Sequence, residues 1–250
     1  MPSTPDSASR HRVSLQLAYV LHTRPYRDTS QLLEIFSRKH GRIGLVARGV
    51  RSGKSRYAGQ LQPFAPLLLS WNGQGELPTL AGAETAGVAT ALEYRTMLSG
   101  FYLNELLMRL LQRGDAHPLL FDAYVEALSA LAAGQQETIL RRFERILLQE
   151  MGYGLILDTD VENGEPIQDE VLYCYHPEQG PVRVVTGDEA GIRVHGRTLR
   201  AITADHYPDL QTRHEAKQLM RSALAVHLGG RPLKSRELYR QQNAVSKLHE

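Results

Sequence analysis

The residue pattern points to an α+β protein, an N-terminal five-stranded OB-type β-barrel followed by an α-helical domain with a small β-ribbon insertion. Three observations carry this. Apolar residues alternate with period two, in short runs broken by turn residues, up to about residue 81. From Thr90 the apolar spacing becomes helical, and an acidic, Gly-interrupted, β-branched stretch at about 155–195 separates two sets of helices.

The first strand is read from Val13 to Leu21, where Val13, Leu15, Leu17, Tyr19 and Leu21 alternate as one half-buried face. Leu32 to Ser37 continues in the same manner. Arg38-Lys39-His40-Gly41 supplies a turn, so Arg42 to Val46 is expected to pair back as a hairpin. Pro66 to Trp71 and Leu77 to Ala81 flank Asn72-Gly73-Gln74-Gly75 and complete five strands. A five-stranded closed barrel that binds oligonucleotides is the OB-fold. The expected division is a flexible tail at 1–10, an OB domain at 11–84 and a helical domain at 85–250.

In the helical part, Met97, Leu98, Phe101, Tyr102, Leu106, Leu107 and Leu111 cover almost the whole circumference of a helix, which places it centrally. A second helix opens at His117-Pro118 and ends at Ala132-Ala133-Gly134. A third runs from about Gln136 to Met151, stopped by Gly152 and Gly154. After the ribbon, helices are expected at Arg197 to Thr203, at Thr212 to Leu228 and from Ser235.

The 250 residues are 42% apolar, enough for a core, so disorder over the whole chain is excluded. The longest apolar runs are a few residues, far short of the roughly 20 that span a bilayer. The polar start MPSTPDSASRHR lacks the apolar block of a secretory signal, and a cytoplasmic protein is expected. One cysteine, Cys174, permits neither an internal disulfide nor a four-cysteine zinc site. The formal charge of +2 hides strong segregation. Residues 1–60 carry 11 Lys/Arg against 3 Asp/Glu and residues 191–250 carry 11 against 5, whereas residues 150–190 carry 1 against 10. Two basic ends suit a polyanionic partner, although solvated arginines also serve solubility.

Arg48-Gly49-Val50-Arg51-Ser52-Gly53-Lys54-Ser55-Arg56 contains Gly-Lys-Ser, yet only three residues separate its glycines where the motif has four, and no helix follows. A nucleotide hydrolase using Lys54 and Ser55 is the weaker alternative. Four cations in nine residues suit phosphate contacts instead, by Arg48, Arg51, Lys54 and Arg56. The expected connector between the first two strands repeats that chemistry in Arg24, Tyr26 and Arg27, with Tyr26 and Tyr57 as stacking platforms or as rim packing. On the third helix, Arg141 and Arg145 lie four apart with Leu148 beyond them, opposite the apolar face of Ile139, Phe143 and Leu147. Such a face could hold a peptide end with apolar and acidic groups, or be a solvated face paired to Glu144 or Glu137. Arg213, Lys217 and Arg221 form a cationic stripe, followed by Arg231, Lys234, Arg236 and Arg240, that fits either phosphate contact or a plain amphipathic helix. The ten histidines show no ligand spacing, no catalytic constellation is present in the pattern, and neither cofactor nor metal is expected.

Val20-Leu21-His22-Thr23-Arg24-Pro25-Tyr26, Leu61-Gln62-Pro63-Phe64, Tyr102-Leu103-Asn104-Glu105-Leu106, Leu140-Arg141-Arg142-Phe143-Glu144, Met151-Gly152-Tyr153 and Gly229-Gly230-Arg231-Pro232-Leu233-Lys234-Ser235-Arg236-Glu237-Leu238 together resemble the bacterial recombination mediator family RecO, nearly end to end. The resemblance implies an OB domain, a helical domain and a role without bond chemistry. It implies binding of single- and double-stranded DNA, annealing of complementary strands, recognition of the acidic C-terminal tail of single-strand-binding protein, and loading of RecA together with RecR. By position it implies DNA contacts at Arg48, Arg51, Lys54 and Arg56, and tail contacts at Arg141 and Arg142. Some relatives carry a four-cysteine zinc module after the residues matching Gly152-Tyr153. This chain has only Cys174 there, so zinc is not carried over. An OB-type RNA-binding adaptor is the other alternative reading.

Overall fold

The computed structural model describes residues 12–52, 55–57, 59–185 and 191–246. The expected tail at 1–10 and the candidate Lys54 lie outside the described residues. Five strands, β1 (Arg12–Tyr26), β2 (Ser30–Ser37), β3 (Gly41–Ala47), β4 (Pro66–Asn72) and β5 (Thr79–Thr85), pair in the order β1-β2-β3-β5-β4 and close into an OB-type barrel. All neighbours are antiparallel except β3 and β5, which meet in parallel at Val46 and Thr79.

β1 corrects the expected alternation. Leu15 adopts φ +48° and donates its N–H to Ser70 Oγ at 2.9 Å, producing a bulge between Val13 and Gln16 against β4. An inserted residue reverses which side chains face inward. Ala18 and Val20 consequently enter the barrel core with Leu33, Ile35, Leu45, Leu67, Leu69 and Trp71, while Leu15 is left 50% exposed. Tyr19 and Leu21 are buried on the outer side. Two further boundaries differ. Arg24, Pro25 and Tyr26 are not connector residues but continue β1 opposite Leu32, Gln31 and Ser30, and the fifth strand starts at Thr79 instead of Leu77.

The described chain forms two compact units, one comprising the residues up to Ala91 with Asn104–Phe121, the other Leu92–Leu103 with the residues from Asp122. In the first unit, Asn104–Phe121 covers the outside of the barrel. Phe121 packs its ring 5.9 Å from Tyr19 and 5.4 Å from Phe36, and Asn104 Nδ2 donates to the Leu21 carbonyl at 2.9 Å. Gly41 is required there: its φ is +63°, and a Cβ would lie 1.7 Å from the Asp115 carbonyl oxygen.

The helices are α1 (Tyr94–Leu110), α2 (Pro118–Ala132), α3 (Gln136–Glu150), α4 (Gly196–Ala204), α5 (Leu210–His227) and α6 (Lys234–Ser246). Asp209 caps α5 by accepting from the Thr212 N–H at 2.8 Å. The acidic stretch holds a three-stranded sheet of order β7-β6-β8, made from β6 (Leu172–His176), β7 (Gly180–Arg183) and β8 (Ile192–His195). The middle strand of this sheet is not visible in the residue pattern, because Tyr173, Cys174 and Tyr175 are all buried and show no alternation. Buried Asp160 ties the loop before it, accepting from the backbone N–H groups of Glu162 at 3.0 Å and Arg183 at 3.3 Å. No helix among the described residues is long and apolar enough to cross a membrane.

Candidate polyanion-binding site

In the second unit a pocket enclosing about 170 Å³ gathers cations from three helices. Arg141 comes from α3, Arg213, Lys217 and Arg221 from α5, and Arg236 and Arg240 from α6. Glu137 is the one carboxylate in the lining, 3.6 Å from Lys217. Leu98, Leu140 and the rings of Tyr102, Tyr207 and Tyr239 supply apolar wall. The α5 and α6 cations recur at i,i+4, so each set lies along one helix face.

A chain of hydrogen bonds fixes the deepest part. Arg236 Nη2 donates to Tyr102 OH at 3.2 Å, Tyr102 OH donates to Glu144 Oε1 at 2.6 Å, and Arg141 Nη2 donates to that same oxygen at 2.8 Å. Arg236 also lies over the Tyr102 ring, 5.4 Å from its centroid. Glu144 is fully buried, and Arg141 Nη1 has no hydrogen-bond partner. One terminal nitrogen of the buried guanidinium is therefore held by protein, while the other is buried without a partner. Burial, followed by the adjacent Glu144 carboxylate, raises the Tyr102 hydroxyl well above the usual phenol range, so it stays protonated as a donor. Partial desolvation of its guanidinium in the pocket, followed by the nearby Arg236 and Arg141, lowers the Arg221 pKa although the residue as a whole is exposed.

In the first unit, the turn after β1 meets the loop after β3. The Arg51 N–H donates to the Thr29 carbonyl at 2.9 Å and its Nη1 to the Arg27 carbonyl at 3.4 Å, which sets Arg27 and Arg51 side by side. Arg27 lies over the half-buried Tyr26 ring, 5.1 Å from its centroid, and Arg24 and Arg48 are exposed. Arg56 is tied down by donating to the Ala81 carbonyl at 2.8 Å and to the Tyr57 hydroxyl. Tyr57 belongs to the barrel core and is corrected as a stacking platform.

Two sets of candidates separated in the sequence thus divide differently in space. Arg213, Lys217 and Arg221, read as phosphate contacts, line the same pocket as Arg141, read as a peptide contact. Arg142 and Arg145 point elsewhere, to Glu126 and Asp205, each at 2.8 Å. Leu148, expected on an exposed face, is fully buried with Glu144, because α3 is covered on a second side as well. Sequence reasoning misses Tyr102 and Tyr239 as pocket residues, and takes Arg236 and Arg240 only as cations following the α5 stripe. Their i,i+4 spacing, which repeats that of the α5 cations, is the signal that groups them with it. Among the described residues, no three His, Cys, Asp or Glu side chains converge as metal ligands, and Cys174 is buried against Gly191, where a Cβ would lie 2.3 Å from its sulfur.

A closed OB-type barrel with arginine-bearing loops, followed by a helical unit with a pocket lined by cations, defines an OB-class protein with a helical second unit. The family models described as Recombination protein O N terminal and Recombination protein O C terminal match residues 13–88 and 91–237. The DNA repair protein RecO of Methylococcus capsulatus is 51% identical over 243 residues, 97% of this chain and 99% of that protein. Those of Nitrosococcus oceani and Aromatoleum aromaticum are 50% and 44% identical, covering 91% and 94% of this chain and 93% and 98% of their own lengths. The chain belongs to the RecO family of DNA repair and recombination proteins.

Proposed function

We propose that this RecO-family chain is a recombination mediator that makes and breaks no covalent bond. It binds single- and double-stranded DNA, neutralises the phosphates of two strands so that complementary bases can pair, captures the acidic tail of single-strand-binding protein, and with RecR promotes RecA loading. The observation that carries the reading is the pocket lined by six cations, buried Arg141 among them, with apolar walls beside them. A peptide end that joins carboxylates to an apolar side chain matches both parts of that lining. The barrel's Arg24, Arg27, Arg48 and Arg51 supply sequence-independent phosphate contacts, with Tyr26 as a ring on which a base stacks. These assignments place its work in the cytoplasm, on nucleoid DNA.

The test for the tail uses an acidic, Phe-ending peptide with a fluorescent label. Reversal of Arg141 is a poor probe, because it would set a second carboxylate beside buried Glu144. Arg221→Glu and Arg240→Glu change exposed residues and are expected to weaken peptide capture at least tenfold with the thermal midpoint unchanged. Peptide binding indifferent to both variants would refute the site. For the barrel, Arg24→Glu, Arg27→Glu and Arg51→Glu together are expected to flatten the salt dependence of single-strand binding by about 0.7 in slope for each phosphate that is no longer neutralised. Equal affinity for single-stranded RNA at matched salt would favour the RNA-adaptor reading instead.

A further inference from the structure

We infer that the two cationic helix faces of the pocket also seat the backbone of single-stranded DNA, so that DNA and the acidic peptide exclude one another there. The inference rests on the pocket's proposed role in peptide capture and adds a second, competing occupant.

The pocket has two parts of different chemistry. Its deep part sets Arg141, whose buried Nη1 has no protein partner, and the Tyr102-bound Arg236 beside Leu98 and Leu140, a lining that suits one carboxylate next to one apolar group. Its open part is periodic. Arg213, Lys217 and Arg221 repeat every four residues, and each such step advances about 6 Å along a helix, giving three cations along roughly 12 Å. Arg236 and Arg240 add a second such set on α6. Charge repeated at regular intervals complements a polymer whose own charge repeats, whereas a peptide terminus needs one anchor.

The balance of charge supports this. Among the described residues Arg221 and Arg240 form no hydrogen bond or ion pair, and Glu137 is the only acid in the lining. Tyr239 is 38% exposed between these cations in sequence and chemistry, as a ring available for a base. Peptide acids next to the deep anchor and DNA phosphates along the faces would need the same guanidinium groups. Two anions cannot share them without strong repulsion in a site this confined.

The experiment follows the labelled peptide on the full chain at low salt while unlabelled oligothymidylate is added. Simple competition raises the apparent peptide Kd about elevenfold when free DNA is at ten times its own Kd. In a chain carrying Arg27→Glu and Arg51→Glu, where the barrel's share is weakened, displacement is expected to persist at the pocket's own DNA affinity. Adding Arg213→Glu, Arg221→Glu and Arg240→Glu to that background is expected to weaken the remaining salt-sensitive oligothymidylate binding at least tenfold and to flatten its salt slope further, which needs no peptide to be observed. A ternary complex with unchanged peptide affinity overturns the inference, as does displacement that disappears with the barrel substitutions. Peptide that fails to bind before any DNA is added refutes the peptide reading instead, and the oligothymidylate arm still decides whether the pocket holds DNA.

Discussion

Single side chains decide how the pocket is held. Glu144 accepts from Tyr102 and Arg141 while fully buried, so Glu144→Ala strands a buried guanidinium and is expected to destabilise the fold by about 3–5 kcal/mol in urea unfolding. Tyr102→Phe keeps the ring and loses one hydroxyl, a cost of about 1–3 kcal/mol in the same measurement. Glu215 gives a pH-dependent counterpart. Burial opposes its ionisation, but hydrogen bonds from Thr198, the His195 N–H, the His195 ring and Gln211 outweigh it and lower its carboxyl below the usual value. A lowered pKa means that its stabilisation is complete above the unfolded value of about 4.3 and fades as pH falls through the folded one. The thermal-midpoint gap between wild type and Glu215→Gln should therefore be constant near neutrality and shrink below about pH 4. Arg141 is legible in the sequence as a candidate because of its position, and it lines the pocket, yet its partners are not legible. Tyr102 and Glu144 lie 42 residues apart, and nothing local in the sequence marks a buried acid between two arginines as the support of one of them.

At the level of strands and helices, periodicity locates nearly every element, and it fails where a partner distant in sequence sets the geometry. The β1 bulge depends on Ser70 Oγ in another strand, so counting alternate residues from Val13 assigns Leu15 and Leu17 to the wrong face. β6 escapes detection for the opposite reason, since burial on both sides erases the period. Gly41 shows how narrow such tolerances are. Gly41→Ala combines a left-handed backbone with a direct clash against Asp115 and is expected to cost at least about 3 kcal/mol. Gly134→Ala, at φ +79° with nothing within 4 Å of the added carbon, should cost about 1 kcal/mol. Chemical denaturation of the two variants side by side separates the clash from the backbone strain they share.

For the molecule as a whole, the charge blocks in the sequence correctly single out basic ends and an acidic middle, but do not say which cations meet. One of the arginines that meet in the pocket, Arg141, comes from residues 61–149, where 9 Asp/Glu outnumber 6 Lys/Arg, and the others come from the basic C-terminal block. Convergence is a property of helix packing, and net charge per segment does not encode it. The interleaving of the two units has a separate consequence. A chain ending at Ala91 retains all five strands but lacks Asn104 and Phe121, which leaves the Leu21 carbonyl unbonded and the Tyr19 and Phe36 rings facing water. Light scattering is expected to find that fragment self-associating and a chain ending at Phe121 much less so. The barrel is thus no detachable cassette: a strap borrowed from later in the gene must travel with it, and any shuffling event or graft that cut once after the fifth strand would deliver a sticky, half-dressed domain.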